Sequence, residues 1–413
     1  MKYNKTSFLP ALLLILAAFA VAAIQTQDEA ALEAKARDIH TRVLSVDTHC
    51  DTPGRMTRPG WDVGERHEPG LRESGQIDLP RMKEGCLDAL FFGCFTGQGP
   101  LTEAGYANSK ARAIAQIDAV EAMTAKYPGL VGKATTPADA ARLKKEGKLS
   151  AFIGVENGYP IGDDLSMVEA LAKRGVRYIT LCHSSDNQIC DSSTDRRAPE
   201  DMGLSEFGKK VVAECNRLGI MVDVSHMSDK SFADVIKASK APVIASHSCC
   251  RELCDNPRNL NDGMIKALAA NGGVLQMCFL SGYLVPPQAN PERDAARKAL
   301  EEKYGTFETM DPAKRNEAMA AFRELSRKYP DTQAKVKDIV DHIDHIVKLV
   351  GIDYVGIGTD FDGGGGVEDC NDVSRMYRVT MELLRRGYTE PQIQKIWGGN
   401  IMRVLQKVID IAG

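Results

Sequence analysis

Two rhythms of apolar and polar positions alternate along this chain. Short runs rich in β-branched and other apolar residues recur at Leu44–Asp51, Ala89–Phe95, Ala151–Asn157, Val176–His183, Ile220–His226, Pro242–Ser248, Gly273–Phe279 and Tyr354–Asp362. Amphipathic stretches lie between most of them, at Ala104–Tyr127, Ser166–Arg174, Ser205–Leu218, Asp229–Ser239 and Asp262–Asn271. Runs that are apolar on both faces fit strands covered on both sides, and their alternation with helices predicts parallel βα units. Eight such runs point to one α/β (β/α)8 TIM-like barrel rather than two independent domains.

One segment breaks the rhythm. Residues Pro286 to Thr332 are rich in Glu, Lys, Arg and Ala and poor in large apolar side chains. They read as a helical insertion (286–332) after the seventh strand, on the side where barrel active sites lie. A solvated decoration, a lid and a dimer contact are equally compatible with that composition. A helix over Val336–Val350 then leads to the eighth strand, and helices near Asp372–Arg386 and Glu390–Ile411 close the chain.

Composition narrows the class further. The chain has 413 residues, 43% hydrophobic and 26% charged, with a formal net charge of −4. That balance argues against disorder and fibrous structure, and it lacks the basic excess of a nucleic-acid binder. Lys2 and Lys5 precede an apolar run from Phe8 to Ile24, with small residues at Ala20-Val21-Ala22. This predicts a secretory signal peptide over residues 1–23, with a single domain over 24–413. The competing reading, an uncleaved transmembrane anchor, is at the short limit of length. Export to the periplasm or the extracellular space, without a stable membrane anchor after cleavage, is the expectation. Of 11 cysteines none shows paired CxxC spacing, and an odd count leaves at least one thiol unpaired within the chain.

The candidate chemistry lies where the apolar runs end. His49-Cys50-Asp51, Glu156, His183, His226, His247 and Asp360 all fall at the C-terminal ends of predicted strands. A lone histidine there is usually a hydrogen-bonded structural residue, but buried charges at six of eight ends need partners or metals. His49 and Asp51 are two apart, so both point to one side of a strand and Cys50 points to the other. The same alternation separates Cys182 from His183 and argues against cysteine-nucleophile chemistry. Imidazole with carboxylate suits zinc or a similar divalent ion, and the donors exceed one catalytic ion's usual three protein ligands. The third and fourth strand ends carry no lysine to bridge two ions, which leaves Glu156 as the natural bridge.

These residues sit in motifs that together resemble the membrane (renal-type) dipeptidases, metallopeptidase family M19. The motifs are Val46-Asp47-Thr48-His49-Cys50-Asp51, Gly154-Val155-Glu156-Asn157-Gly158, Arg177-Tyr178-Ile179-Thr180-Leu181-Cys182-His183, Asp223-Val224-Ser225-His226, Ser246-His247-Ser248, Pro257-Arg258-Asn259 and the stretch Gly356 to Gly363. The resemblance spans roughly residues 40 to 410. It implies a metal-dependent hydrolase barrel that holds two Zn2+ per chain. His49 and Asp51 would serve one ion, His226 and His247 the other, with Glu156 between them and Asp360 near the first. A water activated between the ions would attack the peptide bond of a dipeptide. Asp360 would shuttle its proton and help hold the free amino group, and His183 would steady the carbonyl oxygen. Arg258 would pair with the substrate's C-terminal carboxylate, and the family points to a homodimer.

Departures from the family pattern concern the pocket. Asn157-Gly158-Tyr159 stands where Gly-Gly-His is common, and Phe279 is followed by Leu280 where a substrate-contacting tyrosine is expected, leaving Tyr283 as a substitute. Another binuclear zinc amide hydrolase, such as an N-acyl amino acid deacylase, is the alternative reading. Outside the motifs, His342 and His345 read as packing and surface positions, and Gly363–Gly366 as a flexible lip. Asp362 is a candidate to orient a neighbouring ligand.

Overall fold

The computed structural model describes residues 28–68, 74–195, 197, 200–305, 312–330 and 332–413. The leader read over residues 1–23 lies outside them, as do 306–311 and 331 of the 286–332 segment. Among the described residues nine strands form: β1 (Val46–Cys50), β2 (Ala89–Phe95), β3 (Val131–Lys133), β4 (Leu149–Glu156), β5 (Val176–Thr180), β6 (Met221–Asp223), β7 (Ile244–Ser248), β8 (Val274–Met277) and β9 (Val355–Ile357). All ladders are parallel, in the order β1-β2-β4-β5-β6-β7-β8-β9. The circle closes beyond β9, where Cys50 bridges to Phe361, the Asp51 amide donates to the Phe361 carbonyl (2.8 Å) and the Asp360 amide to the His49 carbonyl (3.1 Å). The eight expected strands are therefore the eight staves of a nearly closed barrel.

Helices start where loop side chains cap them. Thr102, Ser205, Ser228 and Asn261 each accept from a backbone amide three residues on, which satisfies a donor that the first helical turn leaves open. The helices pack on the outward faces of the strands through Leu90, Phe92, Ile153, Val155, Ile179 and Val222. A second cluster gathers Val46, Phe91, Phe152, Met221, Ile244 and Val274 with Ile401, Val404, Leu405 and Val408 of the helix Asn400–Ile411, which plugs the opposite end of the barrel. The open end is left for polar residues.

Three expectations need correction. β3 has no counterpart among the sequence runs: three residues containing Gly132 carry no periodicity, and the strand pairs with the first residues of β4, which β5 does not reach. The runs ending at His183, His226 and Asp362 are too long, since β5, β6 and β9 stop at Thr180, Asp223 and Ile357. The last helix is interrupted by a π turn at Lys395–Gly399. Within the 286–332 segment the described residues include helices Pro291–Tyr304 and Arg315–Lys328. All eleven cysteines are free thiols, and only Cys86 is not buried.

Candidate active site

Regular pleating would not build the open end of this barrel. On a regular strand Val46 and Cys50 share a face, yet Val46 belongs to the interior cluster and Cys50 to the helix layer. The register shift between Asp47 and Cys50 makes the difference, so His49 and Asp51 turn inward. A second shift between Ala245 and Ser248 brings His247 in beside Ser246. The rings of His49 and His247 then stack at 4.0 Å. His226 and Asp360 reach the same space from left-handed turns, with φ of 74° and 62°, and Asn157 (76°) and Asp362 (69°) share that conformation. Left-handed residues other than glycine are uncommon and concentrate at functional sites. Asn is the side chain that best tolerates this φ after Gly, which accounts for Asn157 where glycine is common in the family.

Glu156, at the end of β4, is the centre of the arrangement. Its Oε2 lies 3.5 Å from His49 Nε2, while its Oε1 lies 3.0 Å from His226 Nε2, 3.4 Å from His247 Nε2 and 3.7 Å from His183 Nε2. His49 Nε2 is also 3.8 Å from Asp51 Oδ2 and from Asp360 Oδ1. All seven residues singled out on the strand ends are thus brought together. Three overlapping triads each keep their donor atoms within 4.8 Å: His49, Asp51 and Glu156; Glu156, His183 and His226; His49, His247 and Asp360.

The donor set fits a cation. His49 Nε2 and Asp51 Oδ1 are buried without a hydrogen-bond partner, a condition that costs about 1–3 kcal/mol per group if nothing fills it. The Nε2 atoms of His226 and His247 are 2.9 Å apart and need a shared proton or a shared positive ion. Burial, then the Asp51 charge, pushes the Asp360 carboxyl well above the usual range, and burial with Glu156 raises Asp51. Burial pulls His226 and His247 well below ordinary imidazole values, so both are neutral, the ligand form. At His49 burial works downward, but Tyr178, Glu156 and Asp51 outweigh it and the ring is held high. Crowded carboxyl groups beside two neutral imidazoles make a donor set that a divalent cation would suit.

Arg258 lies beside this cluster, buried, with Nη2 donating to the His247 carbonyl (3.3 Å) and Nε unpartnered. Its guanidinium is 5.3 Å from the ring of Tyr283. The His183 ring packs against Phe95 at 4.5 Å with the planes tilted by 49°, and burial together with Arg258 lowers its pKa to about 4. Asp362 makes no contact with the cluster; it accepts from Thr52 Oγ1, Arg55 Nε and the Gln76 amide, bracing the turn that follows Asp360. His342 is packed between the Cys250 amide and the Leu284 carbonyl, and His345 pairs with Asp262 at 2.6 Å, away from the cluster.

Sequence reading missed the residues that aim the ligands. Tyr178 puts its hydroxyl 2.7 Å from His49 Nδ1. A Cβ at Gly154 would meet the Tyr178 ring at 2.1 Å, and one at Gly93 would meet His49 Cε1 at 2.7 Å. At Gly363 it would fall 1.9 Å from Asp51 Oδ2 and 2.3 Å from Asp360 Oδ1. A tyrosine with a glycine opposite it on the neighbouring strand was the available signal.

A parallel barrel with imidazoles and carboxylates converging at its C-terminal mouth defines a barrel metallohydrolase. Comparison with known proteins makes this specific. The model of the membrane dipeptidase family, peptidase family M19, matches residues 33–413, and the chain belongs to that family. It is accordingly a metallo-dipeptidase by family. Among curated relatives, dipeptidase ataJ of Aspergillus terreus is 30% identical over 92% of this chain and 88% of its own length. Dipeptidase tcpJ of Claviceps purpurea is 30% identical over 86% of this chain and 75% of its own. The crystal structure of the probable dipeptidase PvdM from Pseudomonas aeruginosa superposes with a TM-score of 0.83 at 32% identity, covering 92% of this chain and 99% of that one.

Proposed function

We propose that this chain hydrolyses dipeptides at a pair of zinc ions, with His49 and Asp51 on one ion, His226 and His247 on the other, and Glu156 shared. The supporting observation is the division of Glu156: one oxygen faces His49 and the other faces His226 and His247. Bound divalent ions would supply Lewis acidity and a water whose pKa falls toward neutrality.

The side chains account for the remaining chemistry. Neutral at pH 7, His183 presents an N–H to a carbonyl oxygen as it gains charge. Asp360, whose carboxyl burial holds high, takes a proton and returns it to the leaving amine, and it holds the substrate's amino group. Arg258 offers an unpartnered, buried Nε to the C-terminal carboxylate, so substrate length beyond the cut is set at one residue. The protein is exported after removal of residues 1–23 and works as a homodimer in this reading.

Metal analysis and substrate comparison test it together. The purified chain is expected to hold two zinc ions and to hydrolyse dipeptides with far higher kcat/KM than N-acyl amino acids. Preference for N-acyl amino acids would transfer the site to a deacylase, and clearly less than one zinc per chain with no activity on reconstitution would end the enzyme reading.

A further inference from the structure

Behind the mouth of the barrel lies a buried aspartate that makes no hydrogen bond to the candidate ligands, yet is tied to two of them through their neighbours. Asp223, the last residue of β6, is fully buried. Its Oδ2 accepts from Ser246 Oγ (2.6 Å) and Thr180 Oγ1 (2.5 Å), and its Oδ1 from the amides of Ser246 (2.8 Å) and Ser225 (3.1 Å). Four donated bonds use the full acceptor capacity of a carboxylate.

The direction of one proton follows. Ser246 has a single hydroxyl hydrogen, and it is committed to Asp223. The other contact of Ser246 Oγ is His247 Nδ1 at 2.8 Å, so there the oxygen accepts and Nδ1 carries the proton. A neutral imidazole protonated at Nδ1 has a bare Nε2, the atom that faces Glu156. His226 has no such partner, because its Nδ1 is unpaired among the described residues. What fixes His226 is its backbone turn, which begins at Ser225, whose amide Asp223 holds.

We propose that Asp223 and Ser246 form a relay that locks His247 in the Nδ1–H tautomer, and that Asp223 also anchors the turn carrying His226. Asp223 and Ser246 are positioning residues for one of the two ion positions, and Thr180 is the third member of the network. Partners of this kind orient ligating histidines elsewhere, and their loss typically costs 10–100-fold in metal affinity. The ion-counting part of the test rests on the two-zinc reading; the tautomer does not.

The experiment uses the full chain, wild type and Ser246→Ala, with 15N-labelled histidine. Imidazole correlation spectra of the metal-free protein should place the His247 proton on Nδ1 in wild type and on Nε2, wholly or in part, in Ser246→Ala. In the zinc-loaded protein, Ser246→Ala should release one ion to a chelator about 10–100-fold more readily. The other ion should be held as before, whereas a merely structural loss would loosen both. If Ser246→Ala fails to fold, Ser246→Cys, a weak donor in the same place, carries the same comparison. A wild-type His247 protonated on Nε2, or a variant with unchanged tautomer and unchanged release of both ions, overturns the relay. A wild type that binds fewer than two ions overturns the two-zinc reading instead, and the tautomer then decides the relay.

Discussion

Arg258 illustrates how much depends on a single buried side chain. Its Nη atoms are spent on Ser248 and the His247 carbonyl at 3.5 and 3.3 Å, long contacts for a guanidinium, and Nε has none. An incoming carboxylate would complete its bonding. Arg258→Ala is therefore expected to raise KM for dipeptides by at least about 30-fold, the roughly 2 kcal/mol lost when one partner of a buried charge pair is truncated. Steady-state kinetics check this, and unchanged dipeptide KM would remove Arg258 from substrate binding. His40 gives a pH prediction at the same scale. Its ring sits buried between the Cys86 carbonyl and Thr380 Oγ1, and burial lowers its pKa from 6.5 to about 4. The unfolded chain takes the proton first as pH falls, so the stabilisation is complete above about 6.5 and is lost on the way down to about 4. Its size is on the order of 3 kcal/mol. Urea unfolding at pH 7 and pH 5 should show about 2 kcal/mol of that loss, and His40→Gln should flatten it.

At the scale of elements, the site depends on irregularities more than on regular strands. Eight strands were legible because parallel strands covered on both faces must be apolar throughout, and the polar residues that interrupt them stand out against that background. Their positions along the chain could be read, and so could the pairing of His49 with Asp51. The two register shifts could not, because nothing in alternating polarity distinguishes a strand that slips by one residue from one that does not. Nor could the left-handed turns at His226 and Asp360, because Asp and His adopt that conformation more readily than most residues yet too rarely for residue type to predict it. The glycine opposite Tyr178 belongs to the same level. Gly154→Ala places a methyl in the tyrosine ring, and overpacking of this kind costs about 1–3 kcal/mol. We expect a lower melting temperature together with reduced metal content, since Tyr178 can move only by releasing His49 Nδ1. Full metal content at a lowered melting temperature would separate Tyr178 from the site.

Over the whole molecule, the ligand-bearing residues are spread across five strands or the loops that follow them, and the candidate cation site links them all. Removing bound metal is expected to lower the melting temperature, because an ion that binds only the folded chain stabilises it by mass action. Calorimetry of the chelated and reloaded protein checks this, and the gap should narrow in His49→Ala.

The seam that closes the barrel has one more consequence, concerning time rather than space. Asp47 accepts from Thr359 Oγ1 across 312 residues of chain, and Thr52 donates to Asp362 across 310. At ordinary elongation rates the two sides of that seam leave the ribosome roughly 15–60 s apart. During that interval His49 and Asp51 exist without Asp360, on a first strand whose final neighbour has not been made. A chain that ends early cannot assemble the full constellation, whatever its other strands have done. The site is thus complete only after the last strand has been made, and its formation marks a chain that has been synthesised through that strand.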